Sequence, residues 1–216
     1  MKKLRTAAQF QDYLDFEFSW RLKEIADMKV AVKSTRNISI SERTLTRAAL
    51  ALLYAHWEGF VKNAATAYLN FVDCQGLKYA ELKSCFVVFG VKKRLAELVE
   101  SRQAEPTVAA LDFLRKELGE RAQLRYETAI NTGSNLSSLV FKNIFLSLGM
   151  APEWYEAKFN LIDESLLKRR NHIAHGEYID VSPDDWRALA DEVIAMLRQV
   201  KTDLENAMTL DSFKAG

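Results

Sequence analysis

The chain has 216 residues, 49% of them hydrophobic and 27% charged, with a formal net charge of +1. That balance suits a globular protein with a real core and excludes a disordered chain. It also excludes a global field that would draw the protein to nucleic acid or anionic lipid, so any such contact must come from a local basic cluster.

Eight Gly and three Pro leave little material for a β-sandwich. Cys74 and Cys85 are too few for a zinc knuckle or a disulfide framework, so a cytoplasmic location is expected. Met1-Lys2-Lys3-Leu4-Arg5 runs into Gln9, Asp12 and Asp15 rather than an apolar stretch, unlike a secretory signal. No segment approaches the ~20 apolar residues of a membrane span, and no membrane association is expected.

A helical period dominates. Phe10, Leu14, Phe18, Leu22, Ile25, Met28 and Val32 step by three or four and predict a long amphipathic first helix. Ser39-Ile40-Ser41-Glu42 reads as a capping box, opening a second helix through Leu45, Ala49, Leu53, His56 and Phe60 to about Phe71. Its richness in Ala and Leu predicts a central helix with more than one buried face. Gly76 closes the turn after it. From Tyr79 onward the pattern favours helices broken near Gly90, although Cys85-Phe86-Val87-Val88-Phe89 alone would also suit a strand.

Pro106 stands in the first turn of a further helix carrying Val108, Leu111, Leu114 and Leu118. Thr132-Gly133-Ser134-Asn135 is a turn and cap for a helix with Leu136, Leu139, Val140, Ile144 and Leu148, ending at Gly149. A short turn at Pro152–Tyr155 precedes a helix from Phe159 to His175. Ser182-Pro183-Asp184-Asp185 combines an N-cap, a first-turn proline and acidic residues that favour the helix dipole. The last helix carries Trp186, Leu189, Val193, Met196, Leu197 and Val200. No repeat or linker interrupts the pattern, so a single all-α domain over residues 1–216 is expected.

Leu166-Leu167-Lys168-Arg169-Arg170-Asn171-His172-Ile173-Ala174-His175-Gly176-Glu177 carries the chemistry. A guanidinium grips phosphate bidentately and stays charged at physiological pH. A histidine moves protons near neutrality. The structural alternative for Lys168-Arg169-Arg170 is stabilisation of a helix C-terminus, worth ~0.3–1 kcal/mol per cation.

Arg170-Asn171-x-x-Ala174-His175-Gly176, followed by a short loop and a final amphipathic helix, resembles the HEPN superfamily. Leu53-Tyr54-Ala55-His56-Trp57-Glu58-Gly59-Phe60-Val61-Lys62 resembles the hallmark of its MAE-like nuclease branch. Asn131–Leu136 and Ile162-Asp163-x-x-Leu166-Leu167 agree with the same pattern. The resemblance implies an up-and-down helical bundle with additional helices and a metal-independent endoribonuclease of toxin or antiviral defence type. It further implies a homodimer whose signatures meet across the symmetry axis, RNA as substrate and a cognate antitoxin as partner. The alternative it leaves open is a non-catalytic helical module that binds RNA, nucleotide or a protein.

On an ideal helix Arg170 and His175 diverge by ~140°, at ~100° per residue, which a cleft between two copies would resolve. Arg170 would hold the phosphate and His175 would serve as general acid or base. Asn171, four residues before His175, shares its face. His56 and Glu58 diverge by ~200°, so one is expected in the core and the other at a groove or partner. With Arg169, His172 and Tyr178 they are secondary substrate-binding candidates. His56, His172 and His175 with Glu58 or Glu177 compose the competing metal set, which Arg169 and Arg170 would repel. No metal and no cofactor are expected.

Overall fold

The computed structural model describes residues 1–32, 39–100 and 104–216, among which the regular structure is helical. In chain order the α-helices are α1 (Ala7–Ala31), α2 (Ile40–Cys74), α3 (Ser84–Glu100), α4 (Ala104–Lys116), α5 (Tyr126–Ala129) and α6 (Ser138–Ser147). They continue with α7 (Glu153–Glu156), a π-helical segment (Leu161–Lys168), α8 (Arg169–Ala174) and α9 (Pro183–Thr209). The all-α expectation holds.

α1, α2 and α9 pack against one another and form the body of the bundle. Each begins on a side-chain cap. Thr6 accepts from the Gln9 amide, and Ser182 accepts from Asp185 with Pro183 at the first helical position. At α2 the expected capping box is complete, with Ser39 and Glu42 satisfying each other's backbone N–H. Such caps are worth ~1 kcal/mol each. α2 is buried on several faces, through Leu50, Leu53, Trp57, Phe60, Ala64 and Tyr68, because α1, α9 and α8 surround it. Buried apolar side chains from both ends of the chain join one continuous core.

Three sequence expectations change. The helix through Cys85–Phe89 does not break at Gly90, because α3 runs on to Glu100. Gly90 instead admits the Tyr79 ring: a Cβ there would lie 2.4 Å from the Tyr79 hydroxyl. Leu136 precedes its helix, which Ser137 caps, and α6 buries Phe141, Ile144 and Phe145 while Leu139 is exposed. On α4, Val108 and Leu111 are exposed, as is Leu118 just beyond it, and the Leu114 side chain lies outside the described residues.

Candidate functional site

The segment Leu161–Lys168 is a π-helix, not part of one straight α-helix from Phe159 to His175. Such i→i+5 turns concentrate at functional sites. Within it, the Asp163 carboxylate accepts from the Ser138 N–H at 2.8 Å and the Ser138 hydroxyl at 2.5 Å. The first turn of α6 is thereby tied to the segment just before the signature. Regular α-helix resumes at Arg169 and ends in a Schellman motif. Gly176 has φ of 77°, its N–H donates to the Ile173 carbonyl, and the Glu177 N–H donates to His172. Gly176 therefore closes the helix as its position in the sequence implies.

Arg170 folds back onto α2. Its guanidinium carbon lies 4.1 Å from the centroid of the Tyr54 ring, and its Nη2 donates to the Ser134 carbonyl at 2.5 Å. Glu58 Oε2 is 3.8 Å away, and both side chains are largely shielded, at 20% and 18% exposure. The Tyr54 hydroxyl in turn accepts from the Leu136 N–H at 2.6 Å. Burial raises the Tyr54 pKa, opposed by the neighbouring Arg170, so it remains a neutral phenol near pH 7. Ser134, with φ of 58°, and Gly133, with φ of 60°, form the turn that aims the carbonyl at Arg170. Tyr54 and Glu58 are one helical turn apart, so a single face of α2 supplies both the platform and the counter-charge.

Asn171 and His175 face elsewhere. Both line an open groove of about 270 Å³ with Asp163, Leu167, Lys168, His172 and Glu177, and Arg170 is not among its walls. The shared face expected of Asn171 and His175 is present, and so is the divergence of Arg170 from His175. His175 is exposed, and its backbone caps α8 by donating to the Asn171 carbonyl at 2.9 Å. His172 pairs through Nδ1 with the Glu177 carboxylate. Arg169 points away, into a shallow depression bounded by Ser165, Asp185 and Glu192 against α9. Among the described residues, no group of three or more His, Cys, Asp or Glu side chains is placed to hold a metal ion.

His56 and Glu58 take the opposite directions that their spacing implies. His56 is 2% exposed and faces α1, edge-on to Trp20, with its Nε2 3.0 Å from Glu24 Oε2. Burial lowers its pKa, which outweighs the opposing charge of Glu24, and the buried Arg21 adds to the lowering. His56 is thus a core residue on the α1 side of α2 and is not among the walls of the groove. Glu58 alone joins Arg170.

Sequence reasoning passed over Tyr54 and Ser134 as partners of Arg170, and Arg43 and Arg47 near the signature. The four-residue steps Arg43–Arg47 and Tyr54–Glu58 were the available signal, since such residues share a helical face. Arg43 Nη1 donates to the Tyr178 hydroxyl at 3.3 Å. Arg47 lies over the Tyr178 ring, 5.7 Å from its centroid, and its Nη2 donates to the Glu177 carbonyl at 2.9 Å. Tyr178 itself is 71% exposed.

No helix among the described residues is long and apolar enough to cross a membrane. Compared with known families, residues 17–206 match the family described as RiboL-PSP-HEPN. No curated protein and no solved structure matches the chain.

Proposed function

The chain belongs to the RiboL-PSP-HEPN family, and from that membership and the Arg170–Asn171–His175 geometry we propose that it is a metal-independent endoribonuclease. The match establishes the superfamily and does not single out the MAE-like branch. The observation that carries the reading is the separate placement of Arg170 and His175. His175 and Asn171 line an open groove, while Arg170 stacks on Tyr54 outside it.

Within one chain the groove that His175 and Asn171 line does not include Arg170. A symmetric dimer, the commonest closed assembly, supplies the missing juxtaposition by setting Arg170 of one copy beside His175 of the other. The 2′-hydroxyl of RNA then attacks the adjacent phosphorus. Its proton leaves to a general base, the 2′-O–P bond forms, the P–O5′ bond breaks, and the 5′-oxygen takes a proton. His175 is the proton-transfer group, and the guanidinium neutralises charge that grows on the phosphoryl oxygens. Stacking on Tyr54 holds that guanidinium in place before substrate arrives, so little reorganisation is needed during reaction. In the cell such an activity suits a toxin or antiviral defence effector kept in check by a cognate antitoxin.

One observation favours the alternative of a non-catalytic binding module. Arg170 already spends donors on Ser134 and lies near Glu58, as a purely structural arginine would. Purified protein incubated with end-labelled RNA in EDTA separates the two. Cleavage leaving 2′,3′-cyclic phosphate ends, lost in Arg170→Ala and His175→Ala, supports the enzyme. Binding without cleavage, or cleavage only with added metal, overturns it.

A further inference from the structure

Arg43 and Arg47 lie on α2 a few turns before Tyr54 and Glu58, on the side that faces the signature. The segment from Arg170 to Tyr178 runs antiparallel above them. Its start rests on Tyr54 and Glu58, and its end on Arg47 and Arg43. Glu177 joins the two ends, since its side chain lines the groove with His175 while its carbonyl takes the Arg47 bond. The Glu177 carboxylate pairs with His172.

We propose that Arg43, Arg47 and Tyr178 form a subsite for single-stranded RNA, continuous with the His175 groove, that holds the substrate beyond the scissile phosphate. This rests on the ribonuclease reading and extends it to the class of RNA accepted. Two guanidiniums supply phosphate contacts, and the exposed Tyr178 ring supplies a face on which an unpaired base can stack. Bases locked in a duplex cannot present that face, so the subsite selects single strands. The subsite adds contacts beyond those at the scissile phosphate, so it favours oligomers over dinucleotides. The net charge of +1 makes a local cluster necessary for any such affinity.

The test is direct binding of a fluorescent oligouridylate of about 12 nucleotides, a length suited to extended single-strand sites, in the cleavage-deficient His175→Ala background. Fluorescence anisotropy is recorded across a salt series, with a duplex of equal length and the dinucleotide UpA as comparisons. Single-strand binding falls with salt at a slope of ~0.7 per phosphate contact, so Arg43→Ala with Arg47→Ala should lower the slope by ~1.4. The lysine pair should restore it. Tyr178→Ala should weaken binding by about 5- to 150-fold, the range of a lost base–aromatic stack. Arg43→Ala alone, at an exposed site, should lower the slope by ~0.7 and guards against misfolding of the double variant.

Affinity and slope unmoved by these changes, or equal affinity for duplex and single strand, would overturn the subsite while cleavage by the unsubstituted chain left the ribonuclease reading intact. Shifts as expected, from a chain that never cuts RNA, would support the subsite and remove the enzyme. Absence of all RNA binding would remove both.

Discussion

The Arg170 guanidinium stacks on Tyr54, 4.1 Å from the ring centroid, and the Tyr54 hydroxyl holds the Leu136 amide at 2.6 Å. One tyrosine therefore positions the phosphate-binding group by its face and the Asn131–Leu136 turn by its edge. The same turn returns the Ser134 carbonyl to Arg170, closing a loop of contacts around the guanidinium. The ring and the hydroxyl can be removed separately.

Tyr54→Phe keeps the ring and orphans the buried Leu136 N–H, at a cost of ~1–3 kcal/mol. At ~2–4 °C per kcal/mol for a chain of this size, melting should fall by several degrees. Cleavage should be largely retained. Tyr54→Leu removes the face as well, and a cation–π contact of ~0.5–2 kcal/mol corresponds to a further loss of ~2- to 30-fold in kcat/KM. Equal activity in the two variants would show that the stack does not position Arg170.

His56 and Glu58 should separate cleanly. His56→Ala opens a space under Trp20 and should lower melting while folded protein keeps its activity; Glu58→Gln should cut activity with melting nearly unchanged. The His56 pKa lies below its ordinary value of 6.5 because burial disfavours the charged form. The unfolded chain then binds the proton more readily, so stability is full above about pH 6.5 and is lost as pH falls through the folded pKa. His56→Leu should remove that component, leaving a shallower decline between pH 7 and 5. Denaturant midpoints at each pH measure it. Parallel curves for the two proteins would mean that His56 is not buried neutral.

Gly90→Ala poses two opposed effects in α3. Alanine is favoured in a helix interior by ~1 kcal/mol. Its Cβ, however, would lie 2.4–2.8 Å from atoms of the Tyr79 ring, whose hydroxyl also accepts from the Gln123 amide at 3.2 Å. Overpacking against a held ring costs ~1–3 kcal/mol, so the net change should be destabilising, seen as a lower denaturant midpoint. A higher midpoint would show that Tyr79 yields freely.

The legible parts of this fold were those decided within a few residues. The Ser39–Glu42 box, the Ser182–Pro183 start and the Gly176 stop are local hydrogen bonds that the sequence spells out. The same locality gave the opposite directions of His56 and Glu58, which follow from helical rotation alone. Gly90 suggests a helix break in the sequence, whereas its reason is Tyr79, a contact made only in the folded chain. The π-helical turn left no mark, since Ile162 and Leu166 keep a four-residue spacing that an α-helix also satisfies. Arg170 was recognised as a phosphate-binding candidate, but its resting place depends on Ser134 and Tyr54, both distant in sequence.

The composite cleft can be tested without any structure of the dimer. The unsubstituted chain should sediment at about twice its 24.7 kDa mass. Arg170→Ala and His175→Ala homodimers should each be nearly inactive, because general acid–base catalysis alone is worth ~10²–10⁴-fold. Mixing the two and allowing exchange creates heterodimers. In each, one cleft receives both alanines and the other receives an intact Arg170 from one chain and an intact His175 from its partner. Random pairing makes half the dimers mixed with one good cleft of two, so about a quarter of full activity should return under two-fold symmetry. A site confined to one chain recovers nothing, because every copy still lacks one group. Recovery in proportion to the mixed fraction therefore identifies a shared cleft, and its absence in a dimer that demonstrably exchanges would place Arg170 and His175 in the same chain's site.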